Sequence, residues 1–298
     1  MKRLAFALAG AALIGLAAFL LVTAPRMSPV EALAGLNADA ARGQAVFTAA
    51  GCASCHMAPG GTGDQRLVLA GGQEFASPFG TFLAPNISPD PAEGIGGWTL
   101  EQFAGAIRDG VSPEGSHYYP ALPYAAYAKM TDTDLVDLWA YLQTLPPSAT
   151  PSQPHRVGFP FNIRRSLGGW KLLFQTRGWV LDTAATPELE RGRYIVEALA
   201  HCGECHTPRN VFGGLKTGQW LGGAPDPSGK GRIPNITPGG LNWSEAEIVE
   251  YLTTGFTPEF DSVGGHMAHV VDNMAALPES DRKAVAAYLK AIPAVTSE

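Results

Sequence analysis

Residues 42–56 read RGQAVFTAAGCASCH, and residues 191–206 read RGRYIVEALAHCGECH. Both stretches open on Arg-Gly, run through apolar residues and close on Cys-x-x-Cys-His. Working outward from them, further landmarks recur in the same order. Pro85, Asn86 and Ile87 answer Pro234, Asn235 and Ile236, while Trp98, Gly110, Pro113 and Glu114 answer Trp243, Gly255, Pro258 and Glu259. The tryptophan-to-glycine spacing is the same in both copies. A repeat with a period near the size of a small domain is a duplication, not a solenoid, whose units are shorter and more numerous. The length of 298 residues suits two such units, since roughly 100–200 residues per domain is usual.

Helix signals also recur. Thr99 and Gln102 form a capping-box pattern ahead of Leu100, Phe103, Ala104 and Ile107 on one face, with Gly110 as the stop; Ser244, Glu247 and Gly255 play the same parts in the second copy. Each copy then ends in an amphipathic helix, with Leu135, Leu138, Trp139 and Leu142 sharing a face in the first and Val285, Tyr288, Leu289 and Ile292 in the second. No alternating strand pattern competes with these, so the predicted fold class is mainly α, with loops rich in Gly and Pro. The pattern divides the chain into an N-terminal segment 1–26, a first domain 38–146, a linking segment 147–187 and a second domain 188–298. Within the link, TLPPSATPSQP at 144–154 is rich in turn formers, and Phe159, Phe161, Trp170, Phe174 and Trp179 follow it. These aromatics are expected to pack across the domain interface, with a membrane or partner contact as the alternative.

The apolar fraction of 46% and charged fraction of 16% describe a globular chain, and a formal charge of −6 excludes nucleic acid as a partner, because such binding rests on clustered cations that neutralise phosphates. Lys2 and Arg3 precede an uncharged apolar stretch from Leu4 to Val22. Its length approaches the roughly 20 residues of a spanning helix and exceeds the ~7–15 of a cleaved signal core. A retained anchor is favoured over a signal cut after Ala24, because Pro25 suits cleavage poorly. Positive charge before the span keeps the N-terminus cytoplasmic and exports everything after Arg26, which predicts a bacterial inner-membrane protein with its domains in the periplasm.

All four cysteines lie in the two motifs. Cys-x-x-Cys-His is the attachment signature of c-type haem, in which each thiol adds to a haem vinyl group and the histidine coordinates iron from one side. Cys52, Cys55, Cys202 and Cys205 are therefore the expected covalent attachment points of two haems c, and His56 and His206 the proximal ligands. A four-cysteine zinc site would need its pairs roughly 12–20 residues apart, far closer than Cys55 and Cys202. A thioredoxin-like pair would need a strand-helix-strand context that is missing.

An electron-carrying haem usually has a second axial ligand, and methionine opposite histidine is common. Met130, just before the terminal helix of the first copy, is the expected ligand there, against the alternative of a core methionine filling a gap. In the second copy Leu277 stands where Met130 does. The expected ligand is therefore Met267 in GGHMAHVVDN, with Met274, His266 and His269 as alternatives. Arg209 is a candidate partner for a haem propionate or a surface arginine. His117, His155 and His201 carry no expected role, and the sequons at Asn86, Asn235 and Asn242 carry no meaning in an exported bacterial protein.

Taken together, GCASCH (51–56), APNISPDPAEGIGGW (84–98), HYYPALPYAAYAKM (117–130), CHTPRN (205–210), PNITPGG (234–240) and GGHMAHVV (264–271) resemble the bacterial membrane-bound c-type cytochromes akin to the cytochrome subunits of alcohol and gluconate dehydrogenases. Subunits of that family often carry three haems, and this chain has motifs for two. In relatives whose motif reads PAMPY the ligand lies within it; Leu122 occupies that point here, which leaves Met130. The resemblance implies two tandem cytochrome c-like domains behind a transmembrane or signal helix, and electron transfer without catalysis by this chain. The implied donor is a periplasmic dehydrogenase subunit using quinone, flavin or molybdenum, and the implied acceptor is quinone or an oxidase. The competing readings are a di-haem enzyme of the peroxidase or thiosulfate dehydrogenase type and a cytochrome subunit of a terminal oxidase.

Overall fold

The structure is a computed structural model describing residues 2–227, 229 and 231–296. It opens with α1 (Lys2–Val22), an apolar helix with no buried residue. The first copy follows as α2 (Ala40–Ala49), α3 (Cys52–His56), α4 (Leu100–Ala104), α5 (Tyr124–Tyr127) and α6 (Asp132–Leu142). After α7 (Leu167–Phe174) in the link, the second copy comprises α8 (Pro187–Tyr194), α9 (Gly203–His206), α10 (Glu245–Thr254), α11 (His266–Ala275) and α12 (Glu279–Ala291). Both expected capping boxes form, at Thr99 with Gln102 and at Ser244 with Glu247, and Gly110 and Gly255 stop their helices in the left-handed region at φ 59° and 77°.

Each copy is built on a crossing of its first and last helices. A Cβ on Gly43 in α2 would stand 2.0 Å from the Asp137 carbonyl oxygen in α6; one on Gly192 in α8 would stand 2.0 Å from the Ala284 carbonyl oxygen in α12. The absent side chain lets backbone touch backbone. Beside each glycine an arginine grips the partner helix. Arg42 donates to both Asp137 oxygens at 2.7 and 2.9 Å, and Arg191 to both Asp281 oxygens at 2.8 and 2.7 Å. Such bidentate pairs add direction as well as energy. The two aspartates sit one turn apart relative to the crossing.

The copies differ by one residue between the Arg-Gly start and the first cysteine. The extra residue is taken up by a π-helical turn at Ile195–Leu199, where the Ala200 N–H reaches the Ile195 carbonyl at 2.7 Å. Single π turns commonly absorb insertions in this way near functional sites.

Sequence patterning missed a small sheet. β1 (Glu74–Ser77) and β2 (Gly80–Leu83) form a hairpin whose edge is joined by β3 (Arg156–Val157), and β4 (Ala224–Pro225) pairs with β5 (Arg232–Ile233). These strands are too short for alternation to register. Because β3 comes from the link, the link is fastened to the first copy. Its aromatics divide: Trp170 donates to the Phe212 carbonyl and Phe174 packs on Gly214, whereas Phe159 is 81% exposed. The expectation that these aromatics pack across the domain interface is thus corrected for Phe159; α7 also turns Leu172 and Leu173 outward, 65% and 75% exposed.

The end of α1 is docked. Lys171 Nζ lies 3.0 Å from His117 Nδ1, so the ring carries its proton on Nε2 and donates it to the Thr23 carbonyl at 2.9 Å. Arg165 reaches Thr23 Oγ1 at 3.1 Å and the Leu20 carbonyl. A neutral imidazole and a guanidinium thus satisfy carbonyls that a helix C-terminus leaves unpaired.

A Gly192→Ala substitution is expected to destabilise the second copy by about 1–3 kcal/mol through overpacking, and Gly43→Ala the first by a similar amount. Thermal unfolding followed in the haem and tryptophan bands reads both, and no change in either would contradict the close crossing.

Candidate haem sites

The helix crossings determine where α3 and α9 begin. In both copies the residue before the first cysteine is left-handed, Gly51 at φ 64° and His201 at φ 40°, and the chain then turns into the short helix carrying the second cysteine and the histidine. The four thiols are free. Burial raises them, with Cys52 and Cys202 pushed up to about 12 and Cys55 to about 11. A redox-active pair has the opposite bias, towards thiolate.

Each histidine is oriented by a backbone carbonyl. His56 Nδ1 lies 2.9 Å from the Pro85 oxygen and His206 Nδ1 2.8 Å from the Pro234 oxygen. A carbonyl only accepts, so Nδ1 carries the proton and Nε2 is left with its lone pair. Desolvation lowers both imidazole pKa values, which keeps the rings neutral. That is the tautomer and charge state of a metal-binding histidine. Paired unbonded thiols beside an imidazole with one free nitrogen fit a porphyrin held by two thioethers and a proximal ligand.

The accepting carbonyls are themselves held. Asn86 Nδ2 donates to the Ser148 and Thr150 carbonyls at 2.7 and 2.8 Å, and its Oδ1 accepts from the Ser88 N–H. Asn235 repeats the device on the Val295 carbonyl at 2.7 Å and the Thr237 N–H. Each loop is thereby tied to the chain just beyond the terminal helix of its copy. The sequence reading passed over both asparagines as sequons; their recurrence in Pro-Asn-Ile was the available signal.

Met130 is buried immediately ahead of α6, and its carbonyl accepts from Arg108 at 2.7 Å. Met267 lies in the first turn of α11, half-buried against the core. Of its rivals, Met274 is buried in the core, the His266 ring packs on Phe75 of the first copy at 5.6 Å, and His269 faces Asp272. Arg209 pairs with Glu204 and donates to the Gly213 carbonyl at 2.8 Å, so it is committed within its own loop. Trp98 and Trp243 both pack against the core.

Each attachment segment packs against the other copy across an approximately reciprocal interface. Asn273 of α11 donates to Ser54 Oγ in α3 at 3.0 Å, and Asp272 pairs with Arg66 at 3.2 Å. In the other direction Tyr127 of α5 meets the His201 ring edge-on at 5.6 Å.

The cytochrome c family model matches residues 40–146. A dihaem cytochrome c-type protein of Cereibacter sphaeroides is 55% identical over 95% of this chain and 96% of its own length. The chain belongs to the dihaem c-type cytochromes. This cytochrome is also 38% identical to the fructose dehydrogenase cytochrome subunit of Gluconobacter japonicus over 92% of its own length, and 37% identical to the cytochrome c subunit of the quinone alcohol dehydrogenase of Gluconobacter oxydans over 85%. It spans 60% and 55% of those two longer subunits.

Asn235→Ala in the cytochrome is expected to destabilise the second copy by about 1–3 kcal/mol, because buried partners lose their bonds. It should also broaden the second haem's electron paramagnetic resonance, as its proximal histidine loses a fixed support. An unaltered spectrum and midpoint would show that the loop needs no such tie.

Proposed function

We propose that this cytochrome relays electrons one at a time through two haems c, attached at Cys52 and Cys55 in a domain spanning 38–146 and at Cys202 and Cys205 in a domain spanning 188–298. His56 and His206 serve as proximal ligands and Met267 closes the second iron; Met130 is the ligand that sequence reasoning assigns to the first. Bound haem supplies the one-electron chemistry at iron. The chain contributes neutral imidazoles of fixed tautomer, a buried surrounding and the reciprocal packing of each attachment segment on the other copy, which is the single observation that carries the reading. Packing of that kind favours rapid transfer between the two haems.

The donor is a dehydrogenase subunit in which the organic substrate is oxidised, and the acceptor is quinone or a terminal oxidase. Catalysis belongs to that partner, a reading supported by the resemblance to cytochrome subunits of fructose and alcohol dehydrogenases. The α1 helix is a retained anchor that holds the haem domains on the periplasmic face. Support comes from the docked Thr23, whose carbonyl accepts from His117 and whose hydroxyl accepts from Arg165; cleavage after Ala24 would remove both bonds. The outward Leu172 and Leu173 of α7, packed through Gly168 against Thr23, suit a helix lying at the membrane surface.

Replacing Cys52 and Cys55 together by alanine is expected to lower the haem content from two per chain to one, measured as pyridine haemochrome, and to slow electron delivery from donor-containing membranes at least tenfold. Retention of two haems would refute the attachment. Intact mass of the purified protein is expected to include residues 2–24, and a chain starting at Pro25 to lose membrane association.

A further inference from the structure

The two copies can be aligned from both sides of the loop expected to carry the distal ligand. From the N-terminal side, an isolated bridge pairs Val111 with His117 in the first copy and Phe256 with Ser262 in the second. Directly after it, the Tyr118 N–H bonds to the Gly110 carbonyl at 2.7 Å and the Val263 N–H to the Gly255 carbonyl at 2.8 Å. Counting on from these matched bonds, the residue that corresponds to Met267 is Leu122. From the C-terminal side, Met130 and Leu277 each precede the N-cap of the terminal helix. The Met130 N–H bonds to the Tyr127 carbonyl and the Leu277 N–H to the Met274 carbonyl. Both residues' own carbonyls accept from arginine, Arg108 at 2.7 Å and Arg282 at 2.6 Å. Met130 therefore shares its place with a leucine that cannot bind iron, and both are buried at that place. The length difference between the copies falls between the two alignments, within α11.

We infer that Met130 is a core residue and that the first haem iron has no protein ligand on its distal side, because Leu122 stands where the second copy has Met267. This inference rests on the haem attachments proposed above. The first iron is thus a binding position for a small exogenous ligand, a neutral diatomic such as carbon monoxide or a small anion such as cyanide, while the second iron is closed by Met267. Leu122 also borders a crevice between the copies, with Pro120, Pro123, Arg209 and Leu215.

The test uses the full-length dihaem protein in detergent. Pyridine haemochrome is read first in every preparation, so that failure to attach two haems is separated from failure of the ligand assignment. The expected result is one high-spin and one low-spin ferric signal by electron paramagnetic resonance, one carbon monoxide bound per chain after reduction, and a sulfur-to-iron charge-transfer band that Met130→Leu leaves unchanged. Leu122→Met is expected to convert the first haem to low spin and abolish carbon monoxide binding. Two low-spin signals in the parent protein, or loss of half the charge-transfer band in Met130→Leu, would overturn the inference. The parent and Met130→Leu measurements decide it even if Leu122→Met takes up no haem.

Discussion

Everything in this molecule follows from two places where one helix backbone rests on another. At Gly43 and at Gly192 there is no room for even a single methyl group, and the resulting crossings orient the chain that runs on into each Cys-x-x-Cys-His motif. The arginine beside each glycine prevents the crossed helices from sliding. Because the same device occurs twice, the two motifs are presented in the same manner, and the halves can pack against each other in approximate reciprocity.

A second layer of constraint lies in the loops. The histidines owe their usable nitrogen to the Pro85 and Pro234 carbonyls, and those carbonyls are positioned by Asn86 and Asn235. The state of each imidazole thus depends on the chain beyond the last helix of its copy, far away in sequence. Long-range ties of this kind explain why a mostly irregular segment, rich in Gly and Pro, can hold a metal ligand in one orientation.

Much of the fold was legible because it was written twice. The capping boxes, the glycine stops at Gly110 and Gly255 and the terminal helices were found by pattern and confirmed by repetition. What escaped had no local signature. The π turn that absorbs one residue before Cys202 leaves periodicity nearly intact. The strands around Phe75 and Phe82 are too brief to alternate, and His117 found its role only through a helix end nearly a hundred residues earlier. Met130 shows the opposite hazard. A buried methionine ahead of a helix satisfies a sequence rule for an iron ligand and a rule for core packing equally well; the core role inferred above rests on the hydrogen-bond register of both copies, which the sequence does not display.

The bolted junction between α1 and the rest of the protein bears on how such a carrier operates. Many tethered redox proteins swing on a loose leash and collide with successive partners. Here Thr23 is clasped by His117 and Arg165, and Ser28 by Asp109, so hydrogen bonds on both sides of the junction tie the apolar helix to the first copy. In the anchored arrangement proposed above, a relay mounted this way would exchange electrons at a constant height above the bilayer, its traffic set by which complexes assemble around it and not by how far it can reach.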